Sequence, residues 1–123
     1  LRLDNQLHGT LTADLHLLQR ALSNLMANAV RHAEPGSTVS LLRRDEPGYC
    51  WIGVHNTGPT IEPQHLNKLF DRFYRIDPSR AEPGDSGGLG LAIVRSIMRL
   101  HDGEVRVSSD DSGTLFELGF TNA

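Results

Sequence analysis

The stretch DSGGLGLAIV, residues 85–94, puts three glycines into four positions and runs directly into an apolar pattern. From there Leu89, Ala92, Ile93, Ser96, Ile97 and Leu100 form one stripe at helical spacing, and Gly103 stands where a helix would stop, so the pattern predicts a helix over 88–100. Small residues at a helix mouth let backbone N–H groups approach phosphate oxygens, while the positive end of the helix dipole faces the same anion. Glycines before a helix also suit a hinge or tight packing, and at this point both readings stand. Two familiar phosphate motifs are excluded. Gly88-Leu89-Gly90 is followed at the third position by Ile93, not by the glycine of a dinucleotide turn, and no Gly-Lys-Ser or Gly-Lys-Thr of a P-loop occurs.

Upstream, DLHLLQRALSNLMANAVRHAEPGS begins at Asp14, a residue type suited to cap a helix, and places Leu18, Leu22, Leu25 and Ala29 on one face before Pro35-Gly36 ends the pattern. Asn24, Asn28 and Arg31 lie at i, i+4 and i+7, a polar row beside the apolar face instead of opposite it. An amide oxygen is a hard ligand suited to Mg²⁺, which takes few protein ligands and fills the rest of its shell with phosphate and water oxygens. The alternative is that both asparagines sit at the solvent boundary.

Between these helices, TVSLLRRDEPGYCWIGVHN reads as two strands joined at Glu46-Pro47-Gly48, with Cys50 a core residue beside Trp51. A short helix is expected over 63–70. Pro78, Pro83 and Gly84 then mark 71–87 as a mobile loop of the kind that forms lids. EVRVSS and GTLFELGF close the chain as two strands around a turn at 110–113. Strand, helix, hairpin, short helix and loop, helix, hairpin is an α+β order, with helices on one face of a mostly antiparallel sheet.

Length favours a single domain over 1–123, and 38% hydrophobic with 22% charged residues is ordinary for a globular protein. A net charge of −3 without a basic run argues against a nucleic-acid partner. A single cysteine excludes an internal disulfide, and no apolar run is long enough to span a membrane. The chain starts without Met, in what reads as a strand, which suggests a fragment of something longer. His8, His16, His55, His65 and His101 have no metal-ligand spacing, and surface or boundary positions are expected for them.

Four stretches in one order, NLMANAVRH, VHNTGPTI, LFDRFYR and GGLGLAI, resemble the N, G1, F and G2 boxes of the catalytic, ATP-binding domain of sensor histidine kinases. The resemblance implies a two-layer α/β sandwich of the Bergerat type: a mixed, mostly antiparallel sheet of about five strands on three helices, with Mg²⁺-ATP under a lid. It implies that Asn28 ligates Mg²⁺, that Asn24 and Arg31 contact the phosphate region, and that His32 takes the place of an aromatic near the nucleotide. Gly88, Leu89 and Gly90 would form the lid's hinge and the helix start facing the triphosphate. Arg72 or Arg75 would reach the γ-phosphate, and Gly58, Ile61, Phe70, Leu91 and Thr114 would surround the nucleotide.

Three positions depart from the family pattern. Asn56 stands where an aspartate usually reads the adenine amine, Thr60 replaces the second glycine of its box, and Ser86-Gly87-Gly88 replaces Gly-Ser-Gly or Gly-Thr-Gly. LFDRFYRIDPSR with that asparagine looks most like the heavy-metal (copper or silver) sensor branch. The implied partners are a dimerisation and phosphoacceptor domain and a response regulator, with this domain in the cytoplasm below an inner-membrane bacterial receptor and itself without membrane contact. A related hydrolase would carry glutamate at position 24 to activate water; Asn24 cannot act as that base. A non-catalytic nucleotide-binding switch is the other alternative. His101-Asp102 alone imitates the dipeptide of a phosphoacceptor histidine, but it falls at a helix end without the Thr-Pro or Ser-Pro that follows in the family.

Overall fold

Asp14 starts the first helix as expected. Its carboxylate accepts the Leu17 backbone N–H at 2.9 Å and so satisfies one of the free donors of the first turn. This is a computed structural model, and the structure describes residues 2–74 and 89–121. Helix α1 spans Leu15–His32 and buries Ala21, Leu25, Asn28 and Ala29; Arg31 and His32 lie in its last turn, where the dipole favours positive charge.

Five strands form one sheet: β1 Arg2–Asn5, β2 Thr38–Glu46, β3 Tyr49–Asn56, β4 Glu104–Asp110 and β5 Gly113–Thr121, in the spatial order β1-β2-β3-β5-β4. Only β1 pairs in parallel, with β2; the other pairings are antiparallel. The β2–β3 turn falls at Pro47-Gly48, with Gly48 at φ 86°, a backbone region that only glycine enters freely. Alternation along β3 turns Cys50, Ile52 and Val54 toward the helices, where they pack with Leu25, Val94, Met98, Phe116 and Leu118.

Trp51 points the opposite way and is still fully buried. The Arg106 and Arg44 guanidinium groups lie 4.1 Å and 5.3 Å from its ring centroid, and Tyr49 stacks on it at 5.5 Å. Glu117 and Glu46 pair with Arg44 and hold this cover in place. The helix-free face is therefore closed by side-chain stems and charged heads, without a third layer.

Two expectations are corrected. Helix α2 spans only Pro63–Leu66, not 63–70. Beyond it the chain bonds three residues back, Lys68 to His65, Asp71 to Lys68 and Tyr74 to Asp71, in successive turns that do not continue an α-helix. Helix α3 spans Gly90–Leu100 with Leu89 as its cap, and it buries Ala92, Val94, Ile97 and Met98, while Ser96 and Leu100 are exposed. The helix touches both α1 and strands β4 and β5, so its buried face keeps Ala92 and Ile97 of the row that spacing selected and adds Val94 and Met98. The expected lid lies outside the described residues from position 75 onward.

Among the described residues no helix is long and apolar enough to cross a membrane. Cys50 is buried, and loss of hydration pushes its thiol pKa up, which keeps it protonated and unreactive at neutral pH. Iodoacetamide at pH 7.5 is expected to leave Cys50 unmodified in the native chain and to alkylate it after unfolding in urea, as read by intact mass. Rapid labelling of native protein would contradict its place in the core.

Candidate functional site

A cleft of 260 Å³ opens between the inner face of the sheet, the C-terminal half of α1 and the segment that follows β3. It brings together Asn28 and His32 of α1, Asn56 at the end of β3, Ile61 of the following loop, Leu91 of α3 and Thr114 of β5. These are six of the residues that the resemblance placed around a nucleotide. Asn28, Asn56 and Thr114 are 8%, 3% and 4% exposed, the polar residues buried among those described, and all three line this one cleft. Burying polar side chains is costly, so the convergence of three on one opening makes it the candidate binding site.

The orientation of Asn56 follows from its surroundings. Its Nδ2 donates to the Thr57 carbonyl oxygen at 3.3 Å, and since a carbonyl can only accept, the amide nitrogen must face that way. The Oδ1 atom is then left as an acceptor on the other side of the amide. Asn56 pairs in register with Thr114, so the two polar groups share one end of the sheet.

Asn28 Oδ1 accepts from Arg31 Nη2 at 3.4 Å, one turn along α1. A cation and an amide oxygen side by side suit a charged phosphate group more than an apolar ligand. Among the described residues no group of three or more His, Cys, Asp or Glu side chains could hold a metal ion. A metal at Asn28 would therefore need most of its ligands from phosphate and water, which is the coordination habit of Mg²⁺.

The other expected residues support the cleft from outside. Asn24 does not line it; its Nδ2 donates to the Gly90 carbonyl at 3.2 Å and so ties α1 to the first turn of α3. Leu89 and Gly90 form the cap and first residue of α3. Phe70 is a core side chain, packed edge-on against Phe116 at 5.9 Å; it is Phe116 that faces the cleft. Arg72 is exposed in a turn after Phe70 and does not line the cleft. Arg75 and Gly88 lie outside the described residues.

Sequence reading gave no site role to Pro59, Thr60, Glu62, His65, Leu69 and Phe116, which complete the lining, although it singled out Thr60 as standing in place of a glycine. Position in the loop after a strand that ends in a polar residue could have pointed to the first three. His65, expected at the surface or its boundary, is half-buried, and its Nδ1 hydrogen-bonds the Tyr74 hydroxyl. Asp71 pairs with Arg95 of α3 at 3.1 Å, a partly exposed contact that contributes little to stability. At the β4–β5 turn, the hydroxyl and N–H of Ser112 hold the Asp110 carboxyl below its usual range, and the Asp110 carbonyl accepts the Thr60 hydroxyl at 3.0 Å.

Residues 13–122 match the family model described as "Histidine kinase-, DNA gyrase B-, and HSP90-like ATPase". The chain is 48% identical over 112 residues to the sensor protein CzcS of Cupriavidus metallidurans, covering 90% of this chain and 24% of that protein. It is 47% identical over 102 residues to the sensor histidine kinase CusS of Escherichia coli K12, covering 83% of this chain and 21% of that protein. The chain thus spans about a quarter of the length of these curated relatives. Among solved structures, the mycobacterial sensor histidine kinase MprB superposes with a TM-score of 0.85 at 29% identity, over 98% of this chain and 82% of that one. Full-length ShkA in complex with AMPPNP superposes with a TM-score of 0.79 at 27% identity, over 99% of this chain and 26% of that one.

Gly58 is where the loop after β3 passes the end of α1. A β carbon there would fall 2.7 Å from the His32 carbonyl oxygen, a backbone atom that cannot swing aside. Gly58→Ala is therefore expected to destabilise the fold by roughly 1–3 kcal/mol, the usual cost of overpacking, as measured by urea unfolding. An unchanged midpoint would mean that loop and helix separate freely.

Proposed function

The chain belongs to the histidine kinase-, DNA gyrase B- and HSP90-like ATPase family, and we propose that it is the ATP-binding catalytic domain of a sensor histidine kinase. In this reading it transfers the γ-phosphate of ATP to a histidine on a separate dimerisation and phosphoacceptor domain, and a response regulator takes the phosphoryl group onward. The observation that carries it is the convergence of Asn28, Asn56, Ile61, Leu91 and Thr114, distant in sequence, on one cleft. The complex of the similar ShkA with AMPPNP, an ATP analogue, supports the choice of nucleotide. LFDRFYRIDPSR together with Asn56 supports a parent of the heavy-metal sensor branch, an inner-membrane receptor holding this domain in the cytoplasm.

The residues divide the ligand between them. Asn56 Oδ1 accepts the adenine amine, and Ile61 and Leu91 give the base apolar walls. Arg31 would meet phosphate oxygens, and Asn28 would offer its amide oxygen to a phosphate-bound Mg²⁺. Mg²⁺, when bound, offsets phosphate charge during in-line transfer, and Arg72 or Arg75 adds charge stabilisation at the γ-phosphate. Asn24 sets the first turn of α3, whose N-terminal N–H groups favour an anion. An amide at position 24 cannot activate water, which disfavours a hydrolase.

His101 supports a separate phosphoacceptor. Its Nε2 accepts the Asp14 backbone N–H at 3.0 Å, and its Nδ1 faces the Ile97 carbonyl at 2.9 Å and donates to it. Both ring nitrogens are thereby engaged, Nε2 in holding the start of α1 to the end of α3 and Nδ1 within the end of α3 itself, and neither is free to attack a phosphate. Incubated with γ-labelled ATP, the chain alone is expected to retain no acid-labile label. Label that disappears in His101→Ala would overturn this division of labour.

Titration with an ATP analogue, with and without Mg²⁺, tests the reading itself. Binding is expected to depend on Mg²⁺ in the wild type and to lose that dependence in Asn28→Ala, with the fold intact by circular dichroism. Asn56→Ala is expected to cost about 0.5–1.5 kcal/mol of ATP affinity, the net value of one neutral hydrogen bond. GTP, which offers a carbonyl where ATP offers the amine, is expected to bind more weakly; equal affinities would remove Asn56 from the base site.

A further inference from the structure

Ser109 lies on β4, outside all four boxes, and does not line the cleft. Its hydroxyl nonetheless joins two groups that do. The Ile61 backbone N–H donates to Ser109 Oγ at 2.8 Å, and Ser109 Oγ lies 2.8 Å from Thr114 Oγ1, its register partner across the β4–β5 pair. Thr60, one residue before Ile61, adds a second tie through its bond to the Asp110 carbonyl. The loop after β3 is thus pinned to the far hairpin at two adjacent positions, and a hydroxyl of the cleft wall shares the pin.

A hydroxyl has one hydrogen to give and two lone pairs to accept with. Ile61 occupies one acceptor position of Ser109. Directing the Ser109 hydrogen to Thr114 Oγ1 places both Ser109 functions inside the network and leaves the Thr114 hydrogen for the cleft that Thr114 lines. Beside it, Asn56 presents Oδ1 as an acceptor, because its Nδ2 is bonded to Thr57. An acceptor next to a donor complements a ligand edge with an N–H donor next to a ring-nitrogen acceptor. The amine and N1 of adenine form such an edge, whereas the corresponding edge of guanine, a carbonyl next to an N–H, has the reverse order.

We propose that Ser109 is a positioning residue for base recognition: it fixes the Ile61 backbone and turns the Thr114 hydroxyl hydrogen into the cleft, making Thr114 a donor to the ring nitrogen N1. The proposal rests on the nucleotide reading above and adds to it a residue that never touches the ligand. It also gives Thr60 a task, since a glycine there would offer no hydroxyl to Asp110.

The test compares ATP with 1-deaza-ATP, in which a C–H replaces N1, by calorimetric titration of the 123-residue chain and its variants. The wild type is expected to prefer ATP about tenfold, the factor expected for one hydrogen bond of ordinary net strength. Ser109→Ala is expected to weaken both nucleotides through the freed Ile61 backbone, but ATP by about tenfold more than 1-deaza-ATP, so that the preference collapses; Ser109→Thr, which keeps the hydroxyl, restores it. An equal loss for both nucleotides in Ser109→Ala would reduce Ser109 to a structural role and overturn the proposal, as would a wild type that does not distinguish the two. Should Ser109→Ala fail to fold, the wild-type preference and its retention in Ser109→Thr decide the matter. A wild type that binds neither nucleotide would overturn the nucleotide reading first, and this inference with it.

Discussion

The register between β3 and β5 is the constraint on which the rest depends. Asn56 opposes Thr114, and the same pairing sets Val54 against Phe116 and Ile52 against Leu118. One alternation therefore fills the core beneath the helices and delivers two buried polar side chains to the end of the sheet where the chain leaves it. A slip of one residue would send Trp51 into the core and turn Asn56 outward, because strand side chains alternate with a period of two. Core packing and site geometry are thus a single choice of register.

Helix α1 completes the site because its buried face is not purely apolar. Helix α1 buries Asn28 beside Ala29, a polar group at a position that packing alone would give to an apolar one, and burial without a partner would cost about 1–3 kcal/mol. Arg31 offsets part of this from one turn away. Beyond the end of α1, the Glu34 N–H donates to the Thr57 carbonyl, and Gly58 passes close to His32, so the loop after β3 is drawn against the helix terminus. At the other end, His101 joins the first residues of α1 to the last of α3. Helix α1 is thus fixed to the loop at its end and to α3 at its start, and the cleft opens beside the first of these ties.

Much of this was legible in the sequence. The cap at Asp14, the hairpin at Pro47-Gly48 and the α+β order with a mostly antiparallel sheet follow from local chemistry and period, the mixed sheet follows from the resemblance, and each is found. The boxes hold five of the six expected cleft residues, Asn28, His32, Asn56, Ile61 and Leu91, and the resemblance supplied the sixth, Thr114, from outside them. What spacing could not supply was the direction from which a helix is covered: α3 touches α1 and two strands, and that geometry, absent from any single periodicity, exposes Ser96 and Leu100 and buries Val94 and Met98. Phe70 was misplaced for a related reason, since an aromatic next to a site and an aromatic behind it have the same local pattern. Ser109 carried no signal at all; in EVRVSS it is one serine of two, and only the pairing of β4 with β5 brings it to Ile61 and Thr114.

The departures from the family pattern are easier to understand together than one at a time. In the proposed reading, an asparagine in place of an aspartate gives up a charge-assisted bond to the base, roughly half of that bond's strength. It gains a donor, which the Thr57 carbonyl takes, and that bond selects one of the two orientations an amide could adopt. A carboxylate would face the same carbonyl as one acceptor against another. Thr60, in place of a glycine, adds a hydroxyl that grips the Asp110 carbonyl three residues from Gly113, the residue that passes directly beneath the Asn56 backbone. The weaker acceptor is thus held by a better-fixed loop. Because an amide does not titrate, its capacity to accept a hydrogen bond is also unaffected by acid that would protonate a carboxylate, so the Asn56 side chain at the end of β3 keeps one hydrogen-bonding character across the pH range in which the fold survives.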